Sequence, residues 1–336
     1  MRYHLLSRRK RRFNVDYAVD ILEDSILKYG KSVLDILLKD KTTQKNIIWA
    51  TADYDTYGDL YKAHKEITTG LITGIHSKLI QPRVTKAKEH QDNRTKDKAE
   101  VFTPSWVCNE QNNLIDEQWF GRKDVFNHIT EKGWNAVTEK IVFPDDKNRT
   151  WRHYVDARRL EVSCGEAPYL VSRYDAVSGN IIPVQERIGL LDRKLRVVNE
   201  NLEDEDAWMI WAIRAVQSIY GYEYQGDNLL LARENVLYTF IDNMQYKFQK
   251  EPTVMQIRKI ANIIAWNLWQ MDGLTYTIPF GEIREDVHQM SIFEFMTPEE
   301  EADDEVKITV NPDTPSCVIR DWRAEEMVEY RSLMEG

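Results

Sequence analysis

Ser163, Cys164 and Gly165 are small residues that stand between a strand pattern and a helix pattern. Leu160-Glu161-Val162 predicts the end of a buried strand, and Ala167-Pro168-Tyr169-Leu170 predicts the opening of a helix. A strand, a tight turn and a helix together present backbone amides to a nucleotide-like ligand. We therefore expect a ligand-binding turn at residues 163–165, where Gly165 lets the backbone come close to the ligand.

Other segments that could take part in such a site are spread over the middle of the chain. They are Phe102-Thr103-Pro104 before a predicted helix, the predicted strand Ile219–Glu223 with a helix over 228–237, and the apolar segment 263–273, which ends at Asp272 and Gly273.

In this order the segments resemble the adenine-specific (N6) DNA methyltransferases and the modification subunits of restriction–modification systems, over about residues 95–275. The resemblance implies an α/β fold with a Rossmann-like class I S-adenosyl-L-methionine-dependent methyltransferase sheet. It also implies S-adenosyl-L-methionine as the cofactor, DNA as the substrate, and a specificity or restriction subunit as a partner chain.

The resemblance further assigns cofactor contacts to individual side chains. Glu223 would accept hydrogen bonds from the ribose hydroxyls, and Asp272 would accept from the amine of the cofactor's adenine. Glu161, Phe102 and Thr103 would frame the amino and carboxylate groups of the methionine. The full cofactor set is Phe102, Thr103, Pro104, Glu161, Ser163, Cys164, Gly165, Glu223 and Asp272. Each carboxylate is also compatible with a structural role, such as capping the helix that follows.

The acceptor site departs from the family pattern. The family binds the flipped adenine with an Asn/Asp-Pro-Pro-Tyr/Phe motif after its fourth strand, and this chain contains no Pro-Pro. Asp321-Trp322 supplies an acid followed by an aromatic residue, so these two are the catalytic candidates. Three alternatives stay open: an altered acceptor site, a site completed by a partner chain, or a non-catalytic DNA- or protein-binding member of the fold.

Composition and simple motifs argue against several classes of protein, including membrane-spanning, secreted and zinc-binding proteins. The chain has 336 residues, enough for one large or two modest domains. No apolar run approaches the ~20 residues that span a bilayer, and the basic cluster at residues 8–12 is not followed by the apolar stretch of a secretory signal. Three widely spaced cysteines suit a reducing cytoplasm, and no His-Glu-x-x-His zinc motif or Walker phosphate loop is present. We therefore expect a cytoplasmic protein without a membrane span or a resident metal.

Charge divides the chain unevenly. The net charge is −10, yet residues 1–98 hold 20 Lys and Arg against 13 Asp and Glu. This fits contact with a phosphate backbone, although a solvated basic helix face would give the same pattern. We predict a mostly helical basic accessory region and linker over 1–95. The Rossmann-like domain would cover 96–336, with an insertion at about 171–218 that carries a hairpin at 178–180 and helices over 188–198 and 207–219.

Overall fold

A three-stranded parallel sheet lies at the centre of the computed structural model, which describes residues 19–86, 103–280 and 314–334 and the backbone of 282–283 and 309–310. The helices are α1 Glu23–Leu27, α2 Lys31–Leu37, α3 Thr69–Ile72, α4 Ser105–Phe120, α5 Trp151–Asp156, α6 Leu190–Asn201, α7 Glu205–Gln217, α8 Gly226–Phe248 and α9 Val254–Asn267. The strands are β1 Asn127–Thr130, β2 Gly133–Ala136, β3 Arg159–Glu161, β4 Ile219–Glu223, β5 Leu268–Gln270, β6 Glu282–Ile283, β7 Thr309–Val310, β8 Val318–Asp321 and β9 Glu326–Glu329. The chain is thus a mixed α/β protein, as expected.

The central sheet has the order β3-β4-β5, and both neighbouring pairs are parallel. Helices α6 and α7 connect β3 to β4, and α8 and α9 connect β4 to β5. Parallel neighbours need such crossovers because the chain must return to the same end of the sheet. All three strands therefore end at one side, which we call the carboxyl end of the sheet, with Glu161, Glu223 and Gln270 as their last residues.

The two faces of the sheet belong to two hydrophobic clusters, because successive side chains of a strand point to opposite faces. Ile219 and Leu268 belong to the main core, which also includes residues of α6–α9. The antiparallel hairpin β8–β9 contributes to the second cluster. Its buried members are Tyr220, Tyr222, Trp269, Met271, Cys317, Ile319 and Tyr330.

The buried Arg233 on α8 joins several elements through backbone carbonyl groups. Its guanidinium donates to the carbonyl oxygen of Leu268 at 2.6 and 2.9 Å and to that of Lys39 at 3.1 Å, and it also contacts Leu37 O. Burial lowers the pKa of Arg233 to about 10. Bonds to otherwise unpaired carbonyls compensate part of the free energy of removing this cation from water.

Residues 19–86 form short helices and turns that pack directly on the α/β part. The buried side chains of Val33 and Leu34 on α2 and of Trp49 belong to the same core cluster as α8 and α9. At the start of α8, the Gly226 amide donates to the Trp49 carbonyl at 3.0 Å. Among the described residues, no helix is long and apolar enough to span a bilayer.

Several sequence-based expectations for the elements are confirmed. Strand β4 covers the predicted residues 219–223. Helices α6 and α7 correspond to the helices predicted over 188–198 and 207–219, with their ends shifted by a few residues. Tyr174 pairs with Ile181 around the expected turn. Trp208 on α7 is fully buried in the core.

The predicted helix at residues 167–170 is wrong. Only a single turn forms there, and the next helix begins at Leu190. Ala167 has a positive φ of 63°, which a helix does not accommodate. The amides of Tyr169 and Leu170 donate to the carboxylate of Glu161, so a side chain fixes this turn.

Candidate functional site at the carboxyl end of the sheet

The turn at residues 163–165 follows β3 and lies against the end of β4. Ser163 and Gly165 both have positive φ, 48° and 53°, so the backbone reverses within three residues. The Cys164 amide donates to the Tyr222 carbonyl at 2.8 Å, and the Gly165 amide donates to Glu223 Oε2 at 2.9 Å. Backbone and side chain of β4 therefore both hold the turn.

Glu223 is the last residue of β4 and is buried. Its second oxygen, Oε1, accepts from the Gln225 amide at 3.1 Å, and Oε2 binds the Gly165 amide. Burial raises the pKa of Glu223, although the two amides oppose that shift. The Tyr224 amide is a third donor to this carboxylate, so of its roughly four acceptor positions about one is left for a further donor.

Glu161 is the last residue of β3 and is also buried. Its oxygens accept from the amides of Tyr169 at 3.2 Å and Leu170 at 3.0 Å. Burial raises the pKa of Glu161 to about 8, and the nearby charge of Glu223 adds to the rise. The two strand-end carboxylates therefore form a buried acidic pair that would gain from a cationic ligand.

Asp272 lies two residues beyond β5 at the same end of the sheet. Its carboxylate accepts from the Leu274 amide at 2.8 Å, and its own amide donates to the Thr277 carbonyl at 2.8 Å. The Met271 amide donates to the Glu223 carbonyl, which connects this loop to β4. Asp272 thus shapes a turn beside Glu223 through Oδ1, which accepts from the amides of Leu274 and Thr275.

The Phe-Thr-Pro segment also comes close to the turn. Phe102 lies outside the described residues. Pro104 is the N-cap residue of α4, as expected for a proline before a helix. The Thr103 side chain hydrogen-bonds Tyr169, whose amide binds Glu161. The structure therefore brings Thr103 and Pro104 to the region of Glu161 and residues 163–165.

Two side chains that sequence reasoning missed complete this region. Gln270 ends β5, where its amide group donates to the Tyr224 carbonyl and accepts from the Ile48 amide at 2.9 Å. Glu166 follows the turn and accepts from the Arg83 amide at 2.6 Å. In the sequence, only the position of Gln270 at a strand end could have indicated that it belongs to this region. The contacts of Gln270 and of Glu166 join residues far apart in the chain, so local patterns do not reveal them.

The structure places Asp321 and Trp322 at the other end of the sheet. Arg158, which directly precedes β3, donates to both oxygens of Asp321 at 2.8 and 3.0 Å. The Trp322 indole donates to the Asn267 side chain at 2.7 Å, and Asn267 directly precedes β5. The two candidate acceptor residues are therefore not brought together with the turn at 163–165.

Comparison with known proteins gives no match. No protein-family model matches the chain, and no curated protein or solved structure matches it. Within the ranges that the structure describes, no group of three His, Cys, Asp or Glu side chains is arranged to hold a metal ion. The chemistry of the site therefore has to be argued from its own residues.

Proposed function

We propose that the chain is an S-adenosyl-L-methionine-dependent DNA (adenine-N6) methyltransferase, or the modification subunit of a restriction–modification system. One observation carries the proposal: the buried carboxylates of Glu161 and Glu223 flank the positive-φ turn at 163–165 at the carboxyl ends of parallel strands. Ligands of open α/β sheets bind at this end. Backbone amides bind both carboxylates, but no cation pairs with either of them among the described residues, so the pair favours a ligand that carries positive charge, such as a sulfonium with an α-ammonium group.

The donor and acceptor groups at the site fit this cofactor. Glu223 has acceptor capacity for ribose hydroxyls, and Asp272 beside it has capacity for an exocyclic amine. Glu161 accepts from the Tyr169 amide and would face the amino group of the methionine. The cofactor supplies a methyl group, while these residues would bind and orient it.

The topology supports the finer fold assignment. Neighbouring strands β3, β4 and β5 follow one another in sequence with helical crossovers, as in one half of a doubly wound Rossmann-like sheet. The excess of Lys and Arg over residues 1–98 supports DNA as the substrate. We include a specificity or restriction subunit as the partner that would provide target recognition.

Isothermal titration calorimetry tests cofactor binding. We expect S-adenosyl-L-methionine to bind the full chain and S-adenosyl-L-homocysteine to bind more weakly, because its sulfur carries no charge. Absence of heat with both compounds would contradict the proposal. Mass spectrometry of nucleosides from treated DNA then tests whether methyladenine forms.

The position of Asp321 favours a second candidate function. Because Asp321 and Trp322 lie at the opposite end of the sheet, these two residues do not face the turn within this chain. A non-catalytic member of the fold, which binds DNA or protein and works with a partner subunit, would not need an acceptor site there. Cofactor binding without methyladenine, in the presence of DNA, would favour this candidate.

A further inference from the structure

A groove lies on the surface between helices α7 and α9. Its volume is about 350 Å³, which is above the ~300 Å³ at which small-molecule pockets begin. It is separate from the carboxyl end of the sheet, because α7 ends shortly before β4 begins. Its lining combines apolar side chains with two cations: Ile210, Trp211, Ile213, Arg214, Gln217 and Lys259. The groove therefore suits a ligand that has an apolar part and a negative charge.

Most cations around this groove have no acidic partner. Lys259 lines the groove, Arg258 is its neighbour on α9, and Arg152 on α5 contacts Trp211 of the lining. All three cations are exposed, and none of them forms an ion pair with a described residue. Arg214 differs, because its guanidinium contacts Asp156. Three cationic groups are thus left for a ligand with negative charge.

The exposed face of α9 is basic along its whole length, since this helix contains no Asp or Glu. Its residues at three- and four-residue spacing share that face: Met255, Arg258, Lys259, Asn262 and Trp266. Lys41 extends the face, because its Nζ lies 2.9 Å from Asn262 Oδ1 and 5.5 Å from the centre of the Trp266 ring. The acids of α7, Glu205 and Asp206, lie in its first turn, before the residues that line the groove.

Arg152 lies against two indole rings at the rim of the groove. Its guanidinium carbon is 4.8 Å from the centre of the Trp151 ring and 5.7 Å from that of Trp211, and the two ring centres are 4.8 Å apart. These ring contacts do not use the N–H groups of Arg152, which donate to no described residue. A planar guanidinium with free donors is well suited to bind phosphate groups.

We propose that this face of α7 and α9 binds single-stranded nucleic acid. Phosphates would contact Arg152, Arg258 and Lys259, and a base would enter the groove against Ile210, whose side chain is 64% exposed. A duplex fits less well, because its stacked bases would leave the apolar part of the groove uncovered. An acidic helix of a partner protein would fill the groove but would leave the cations along α9 without partners. The proposal does not depend on the cofactor site.

Fluorescence anisotropy with the full chain tests the proposal. The probes are a labelled thymidine strand of about twelve nucleotides and a strand with the same phosphates in which abasic sites replace all bases. We expect the thymidine strand to bind with a Kd below about 100 µM at about 0.1 M salt, and the affinity to fall with added salt. The abasic strand should bind at least about fivefold more weakly, because it has no base to enter the groove.

Substitutions in the protein locate the contact. Arg258→Gln and Lys259→Gln should each weaken binding about threefold or more, and each should reduce the slope of log K against log salt concentration by about 0.7. Ile210→Ser should instead reduce the advantage of the thymidine strand over the abasic strand at least about twofold, with the salt slope unchanged. Lys140→Gln is the control, because Lys140 is exposed and does not line the groove.

Three results would overturn the proposal: no binding of the thymidine strand, equal binding of the abasic strand, or variants on α7 and α9 that behave like Lys140→Gln. A labelled acidic amphipathic peptide that binds this face more tightly than the thymidine strand would assign it to a protein partner instead. Calorimetry with S-adenosyl-L-methionine is read separately, so a failure of the proposed function is distinguishable from a failure of this inference.

Discussion

At the scale of single residues, the proposed cofactor site depends on the buried carboxylates of Glu161 and Glu223. Glu223 holds the turn through Gly165 and has acceptor capacity left for a ligand. We expect Glu223→Gln to weaken S-adenosyl-L-methionine binding by about 1–3 kcal/mol, the range for loss of a charge-assisted hydrogen bond. Titration calorimetry measures the change.

The matched control for this variant is Glu326→Gln on the exposed strand β9. It removes the same charge far from the turn and should leave the affinity unchanged. Unchanged affinity in Glu223→Gln, with the fold intact by circular dichroism, would remove Glu223 from the cofactor site.

If the proposed cofactor binds, we expect Glu161 to make its affinity dependent on pH. Its pKa in the free protein is raised to about 8, mainly by burial. A cationic ligand prefers the ionised carboxylate, so affinity should rise as the pH increases toward about 8 and level off above it. Calorimetry in buffers with different ionisation enthalpies should detect a released proton below that pH. Glu161→Gln should abolish this proton release, and release that persists in the variant would assign it to another group.

A second carboxyl pair links stability to pH. Both oxygens of Glu23 on α1 and both of Glu234 on α8 are buried, and none of the four accepts a hydrogen bond from the described residues. Burial raises the pKa of Glu23 to about 9 from 4.5, and Asp20 and Asp24 add to it. Since the folded state holds this proton more tightly, its contribution to stability is complete below pH 4.5 and is lost as the pH rises toward about 9.

Glu23→Gln should therefore stabilise the protein at about pH 8, by more than about 1 kcal/mol, and by less at about pH 5. Urea unfolding at both pH values measures the difference. The exposed Glu131→Gln serves as the control and should change little at either pH. A loss of stability in Glu23→Gln at the higher pH would show that Glu23 is ionised in the folded protein.

At the scale of elements, the start of α8 depends on one glycine. A Cβ on Gly226 would lie 2.0 Å from the Ile48 carbonyl oxygen, and backbone does not yield as a flexible side chain does. We expect Gly226→Ala to reduce the free energy of unfolding by about 1–3 kcal/mol or more. Gly70→Ala in α3 should be neutral or stabilising, because its Cβ meets nothing within 4 Å. Equal midpoints of thermal unfolding for the two variants would contradict this close approach.

At the scale of the whole molecule, residues 19–86 share one core with the α/β part. Trp49 is fully buried in that core, and its indole donates to the Leu60 carbonyl. We expect Trp49→Ala to reduce the free energy of unfolding by about 3–5 kcal/mol. Unfolding should remain a single transition at a lower temperature, with the same midpoint by circular dichroism and by fluorescence. Leu60→Ala, at a 61% exposed side chain, is the control. Two separate transitions, with only one moved by Trp49→Ala, would show that the two parts unfold independently.

Much of the central architecture was predictable from local sequence. The apolar run 219–223 with its terminal acid, the amphipathic helices α6 and α7, and the proline that starts α4 all follow from patterns within a few residues. The helix predicted at residues 167–170 failed because Ala167 has a positive φ and because the carbonyls of Tyr169 and Leu170 accept from the amides of Leu190 and Leu191, far along the chain.

The sequence alone indicated that β3 and β4 end in the acids Glu161 and Glu223, because side-chain type and strand periodicity are local properties. Only the tertiary structure decided that Glu161 and Glu223 meet at one turn while Asp321 and Trp322 lie at the opposite end of the sheet. Those placements depend on strand order and on where the β8–β9 hairpin packs. Both arise from contacts between residues far apart in the chain, which no local pattern encodes.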